Sequence, residues 1–194
     1  MGSNVLDHLA DHVHAALKAA FTELISANPG QNFYAFAVFT DDSLHFIHPA
    51  ANTEEALTAT VQRYRETVDP NYGSTSTRTG MRWSYGDWGH FANFGEEHFA
   101  AINEALIENI DGPDEDFEAR IDSLWAAVLS GFQRLEKDGF FGSWPERSRI
   151  TFLLVGDLNG ELVNSWVSAL NPPDVADRFI NWDADAPDDS GENG

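Results

Sequence analysis

A chain of 194 residues with 42% hydrophobic content, including 14 Phe and 6 Trp, is long enough for one domain with a substantial core. Its 32 acidic against 11 basic residues give a formal net charge of −21, a field that repels nucleic-acid phosphates and anionic membrane surfaces and attracts a basic protein or a cation. Without cysteine there are no disulfides, thiolate catalysis or cysteine-ligated metals, and without a signal-peptide pattern or an apolar run of about 18 residues the expectation is a soluble cytoplasmic protein.

Leu6, Leu9, Val13, Leu17, Phe21 and Leu24 recur every three or four residues and predict an amphipathic helix over residues 5–27, ended by Asn28-Pro29-Gly30. His8 and His12 on this helix have the spacing of a metal pair, but both point away from the apolar stripe and lack a third ligand, so they read as a solvated face. Residues 32–40, rich in aromatic and β-branched side chains and apolar on both faces, predict a central strand. The alternation in residues 43–48 predicts its hairpin partner, across the turn Asp41-Asp42. A second helix follows, with Asn52 as its cap, Glu55 at the third position, and Leu57, Val61, Tyr64 and Val68 on its inner side. Residues 69–80 are polar and rich in Gly, Ser and Thr, and are expected to form a mobile loop and contact surface that carries Tyr72.

Arg82-Trp83-Ser84-Tyr85-Gly86-Asp87-Trp88 packs two of the six tryptophans into seven residues at the middle of the chain. Ser84 and Asp87 have the spacing of a capping box, and Trp83 and Trp88 that of a hydrophobic staple, which predicts that the two indoles touch at a helix start. Phe94, Phe99, Ile102, Leu106 and Ile110 then mark a third helix, with His98 as a satisfied core residue. After the break at Asp111-Gly112-Pro113, a fourth helix runs to about Asp138, with Gly139 as its C-terminal cap. The acidic stretch from Glu108 to Asp122 is the strongest local attractor for a basic partner. Phe140-Phe141-Gly142-Ser143-Trp144-Pro145 is an aromatic connector that should pack. Residues 150–155 predict a buried strand, residues 162–170 a short helix, and residues 174–182 a last helical turn. Asp157-Leu158-Asn159-Gly160 has part of a calcium-loop order but lacks the remaining ligands.

In Ala50-Ala51-Asn52-Thr53-Glu54-Glu55, Arg82-Trp83-Ser84-x-x-Asp87-Trp88, Gly139-x-Phe141-Gly142 and Leu170-Asn171-Pro172, the chain resembles the bacterial family catalogued as domain of unknown function 4303 (DUF4303). The resemblance runs from the first strand to about Pro172. It implies no established activity and no catalytic residues, and it suggests company with small bacterial proteins that include immunity factors of toxin systems.

These observations lead to a single α+β domain over residues 1–182, followed by a disordered acidic tail over residues 183–194. Its small, mainly antiparallel sheet is built from the hairpin and residues 150–155, with a short strand entering Arg82 as a further member, packed against several helices. The leading functional expectation is a non-enzymatic binding protein of the immunity type that neutralises a basic toxin. Its candidate binding residues are Tyr72, Arg82, Trp83, Trp88, Asp114, Glu115 and Asp116, with no metal and no cofactor. The rival is a small enzyme that uses Arg82 to hold an anion and Asp87 with His90 to move protons, although phosphate loops, nucleophile elbows and zinc-helix motifs are all missing. A third expectation is an assembly protein with an exposed aromatic patch.

Overall fold

In β1 (Phe33–Thr40) every side chain from Tyr34 to Val38 is buried, which makes this strand the axis of the fold. The computed structural model describes residues 5–110 and 117–182. β1 pairs antiparallel with β2 (His48–Thr53) and parallel with β4 (Thr151–Gly156), and β2 carries the two-residue β3 (His90–Phe91), so the sheet order is β3-β2-β1-β4. Helices cover both faces, as two-sided burial requires. On one side α1 (Leu9–Ala27), α4 (Ala100–Ile110) and α5 (Phe117–Lys137) pack on Phe36, Val38, Phe152 and Leu154. On the other, α2 (Glu54–Thr67), α3 (Thr75–Trp83) and α7 (Pro173–Ile180) pack on Ala35, Ala37, Leu153 and Val155. α6 (Gly160–Leu170) lies along β4 and contributes Trp166 to the first core and Val167 to the second. The α+β architecture is as expected, and no helix among the described residues is long and apolar enough to cross a membrane.

α1 and α5 approach closely because Gly131 faces the Ala10 carbonyl and Val13; a Cβ there would stand 2.8 Å from both. α5 ends on Gly139 at φ +65°, with Gly139 N–H donating to Glu136 and Phe140 N–H to Leu135, which is the Schellman pattern. The connector beyond it packs inward: Phe141 sits 4.6 Å from both Phe36 and Phe152, ring centre to ring centre.

Several expectations need correction. The partner of β1 is residues 48–53, not 43–48. Leu44 and Ile47 are fully buried, but as plugs from a loop: Leu44 takes φ +55°, Asp41 accepts from His45 N–H, and the Ile47 peptide bonds the Asn103 side chain. Side-chain burial from such a loop mimics strand alternation. Thr53, not Asn52, caps α2, its hydroxyl accepting from Ala56 N–H at 3.1 Å. The expected loop over residues 69–80 becomes helical from Thr75, capped by Ser74. No strand enters Arg82, which lies in the last turn of α3. Ser84 and Asp87 bracket a single 3-10 turn, and the Ser84 hydroxyl donates to Asp87 at 3.0 Å instead of capping a backbone N–H.

Candidate functional site

Parallel pairing of β1 with β4 brings the starts of both strands to one end of the sheet, and antiparallel pairing brings the end of β2 to the same place. The pairs Ala35–Thr151 and Phe33–Thr53 mark this end. It opens into a cavity of about 800 Å³. Its walls come from β1 (Phe33, Tyr34), the start of α2 (Glu54), the end of α3 (Arg82, Trp83), the connector (Phe140, Phe141), the turn before β4 (Glu146, Arg149) and α7 (Arg178). Three of the four motifs that carry the family resemblance therefore meet at one cavity.

The fourth motif supports it from behind. Asn171 accepts from Phe152 N–H and donates to the Phe152 carbonyl, both at 2.8 Å, so a side-chain amide takes the place of a neighbouring strand on the outer edge of β4. Its oxygen also accepts from the buried Arg147, which stacks 4.0 Å above the Phe152 ring and pairs with Glu136.

The Tyr34 corner shows how sequence sets the pocket wall. A register shift between Phe33 and Ala35 turns Tyr34 to the α3 side together with Ala35. There the Tyr34 hydroxyl donates to the Arg82 carbonyl at 2.9 Å and accepts from the Asn52 amide at 2.7 Å. The Trp88 indole N–H donates to the same carbonyl at 2.9 Å. Burial pushes the Tyr34 phenol well above its ordinary range, which keeps it a neutral donor. Trp83 and Trp88 each meet Tyr34 edge-on, at 6.0 and 6.4 Å, so the tyrosine stands where the sequence predicted a direct indole contact.

Arg82 lies over the Tyr34 ring, 4.2 Å from its centre, with Nη2 on both carboxylate oxygens of Glu54 at 2.7 and 2.8 Å. Arg78 also approaches Glu54, at 3.8 Å, so two guanidinium groups share one carboxylate. Nε and Nη1 of Arg82 bond no acceptor among the described residues, and neither does the exposed Arg149 side chain. Arg178 donates to the Ser148 carbonyl; its pKa is lowered by burial first, and further by Arg82 and Arg147, against the opposing pull of Asp174.

Of the residues singled out from sequence, Arg82 and Trp83 line the cavity, and Trp88 is buried behind it. Tyr72 packs on Tyr64 at 5.0 Å, away from the cavity walls. Asp114, Glu115 and Asp116 lie outside the described residues, as does the tail from residue 183. The rival set of Arg82, Asp87 and His90 is not drawn together by any hydrogen bond. Asp87 accepts from the Tyr64 hydroxyl at 2.7 Å and from Ser84, while His90 packs against Phe33 and Phe94 on the other side of the sheet. Burial lowers the His90 pKa, favouring the neutral imidazole. Among the described residues one group, Glu23, Glu97 and His98, has the spacing of metal ligands; it is an open surface cluster in which His98 meets Glu23 at 3.0 Å. Sequence reasoning missed Glu54, Arg149, Arg178 and the Phe140 wall as pocket residues. Glu54 and Phe141 stood inside the resemblance motifs; the two arginines carried no local signal.

No curated protein and no solved structure matches the chain. The sequence model of the family described as Domain of unknown function (DUF4303) matches residues 13–172, and the chain belongs to that family.

Proposed function

We propose that this protein acts by binding rather than by catalysis, and that the cavity walled by Arg82 and Trp83 is where it binds. The observation that carries this reading is an assembled pocket with unengaged cationic donors, while the groups suited to proton transfer, Asp87 and His90, are engaged elsewhere. A cavity of about 800 Å³ whose wall combines aromatic rings with polar and charged side chains suits capture of a small ligand or a side chain from a larger partner. The test is affinity capture with wild type and Arg149→Glu in parallel. Loss of the captured species with the variant supports the pocket; equal capture removes it.

A second reading, an immunity-type factor that neutralises a basic toxin, is favoured by the charge of −21 and by the outer faces of α4 and α5. Glu104, Glu108, Glu118 and Asp122 are exposed there, and Ile107 stands 52% exposed among them. Asp114, Glu115 and Asp116, in the stretch that links α4 to α5 in sequence, add to the negative charge there, whereas Tyr72 packs on Tyr64 of α2 on the opposite face of the sheet and falls outside this surface. Salt-stepped elution tests it. A basic protein released at moderate salt, and lost on reversal of Glu104, Glu108, Glu118 and Asp122 to lysine, is expected. Retention by the reversed variant refutes that surface.

A further inference from the structure

We infer that the pocket takes a ligand with a flat apolar body and one anionic head, the body against Trp83 and Phe140 and the head among Arg82, Arg149 and Arg178. This rests on the reading of the cavity as the binding site and names the chemistry of its occupant.

The first support is charge placement. The chain has 11 basic residues against 32 acidic, yet three arginines line this one cavity. A neutral apolar ligand has no use for them. The two glutamates in the wall, Glu54 shared between Arg78 and Arg82 and the exposed Glu146, offset part of this charge and leave the lining net positive. The second support is donor accounting. Arg82 is fixed by Glu54 and by the Tyr34 ring, so its free Nε–H and Nη1–H groups are held in place, as separate donors, before any ligand arrives. Arg149 has its whole guanidinium unengaged among the described residues, and Arg178 gives one nitrogen to Ser148. A planar guanidinium fork with free N–H groups matches a carboxylate or phosphate, and charge-assisted bonds of this kind are about twice as strong as neutral ones. The third support is size. An inorganic anion would leave most of an 800 Å³ cavity empty, and six aromatic side chains stand in the remaining wall beside aliphatic and polar ones, which suits a planar body held by offset or edge contacts. The lowered pKa of Arg178 agrees: burial first, and then Arg82 and Arg147 against the pull of Asp174, disfavour its charge, which an anion at its side would favour.

The experiment uses the full chain and four probes, naphthoate, naphthyl phosphate, neutral naphthol and inorganic phosphate, titrated by calorimetry against wild type, Arg149→Ala and Arg178→Gln. Circular dichroism confirms that the variants are folded; Arg149 is exposed, so its truncation leaves the core intact. The expected result is that at least one of the naphthyl anions binds about tenfold or more tighter than naphthol, and that each variant weakens the anion about tenfold while leaving naphthol unchanged. Whether naphthoate or naphthyl phosphate binds tighter distinguishes a carboxylate from a phosphate head. Equal affinity for naphthol and the anions overturns the anionic head and leaves the pocket standing. Inorganic phosphate binding as tightly as naphthyl phosphate overturns the flat body. No binding of any probe, or anion binding that neither variant alters, overturns both this inference and the assignment of the pocket.

Discussion

Replacing Asn171 by alanine tests the proposal that one side-chain amide closes the outer edge of the sheet. The residue is buried, and its amide makes both backbone bonds of Phe152 that face away from β1. Its other partners have substitutes: the Val167 carbonyl still accepts from the Asn171 backbone N–H, and Arg147 keeps Glu136 and the Ile150 and Leu170 carbonyls. The loss therefore falls on one buried N–H and one buried C=O, at about 1–3 kcal/mol each, or about 4 kcal/mol together. For a chain of this size that is a drop of roughly 8–16 °C in Tm. Equilibrium urea unfolding followed by tryptophan fluorescence measures it, and hydrogen exchange at Phe152 localises it. Asn171→Asp should do at least as much harm, since a carboxylate oxygen would then face the carbonyls of Phe152 and Val167. A loss below about 1 kcal/mol, with the Phe152 amide still protected, would refute the reasoning.

Tyr34→Phe removes the hydroxyl between Asn52 and Arg82; Trp88 still serves the Arg82 carbonyl, so the expected loss is that of one buried amide donor, about 1–3 kcal/mol by chemical denaturation, and no loss would mean that Asn52 finds another acceptor. Gly131→Ala gains about 1 kcal/mol of helix propensity but drives a Cβ to 2.8 Å from the Ala10 carbonyl, so a net loss of about 1–3 kcal/mol is expected, and a stabilised variant would show that α1 and α5 have slack. Asp11 is held below the usual carboxylate range by Arg134, first through their hydrogen bond and then through charge. Because the folded-state value is the lower one, this contribution is fully present above about pH 5 and fades as acid protonates the folded carboxylate. The stability difference between wild type and Asp11→Asn should thus not fall between neutrality and about pH 5 and should shrink below it; a difference undiminished at about pH 2 contradicts the assignment.

Much of the fold is legible because periodicity reports burial directly. The stripe from Leu9 to Leu24 is buried as α1, Ile121 to Leu135 as α5, and the apolar runs at β1 and β4 as paired strands. β2 escapes the same reasoning since Pro49, Ala50, Ala51 and Asn52 lack the bulk and branching that mark strands; they are small so that neighbours can approach on both faces. α3 escapes it because Thr75, Thr77, Thr79 and Gly80 are poor helix formers, and a tertiary pair, Arg82 with Glu54, anchors its end. Arg82 and Trp83 stand out locally, as part of a dense seven-residue motif. Arg149 and Arg178 join them only through strand pairing and the packing of α7, which no local pattern encodes.

The parallel pairing of β1 with β4 also sets the order of events during synthesis. The outer edge of β1 has no partner until residues 151–156 have been made, and at ~5–20 residues per second the roughly 110 intervening residues take on the order of ten seconds. Throughout that interval an apolar strand offers open N–H and C=O groups to any similar strand nearby, most of all to copies emerging from adjacent ribosomes on the same message. Residues 1–150 carry 23 acidic against 10 basic side chains, so a net charge of −13 has accumulated by the time β4 is made, and repulsion between chains so charged opposes their pairing.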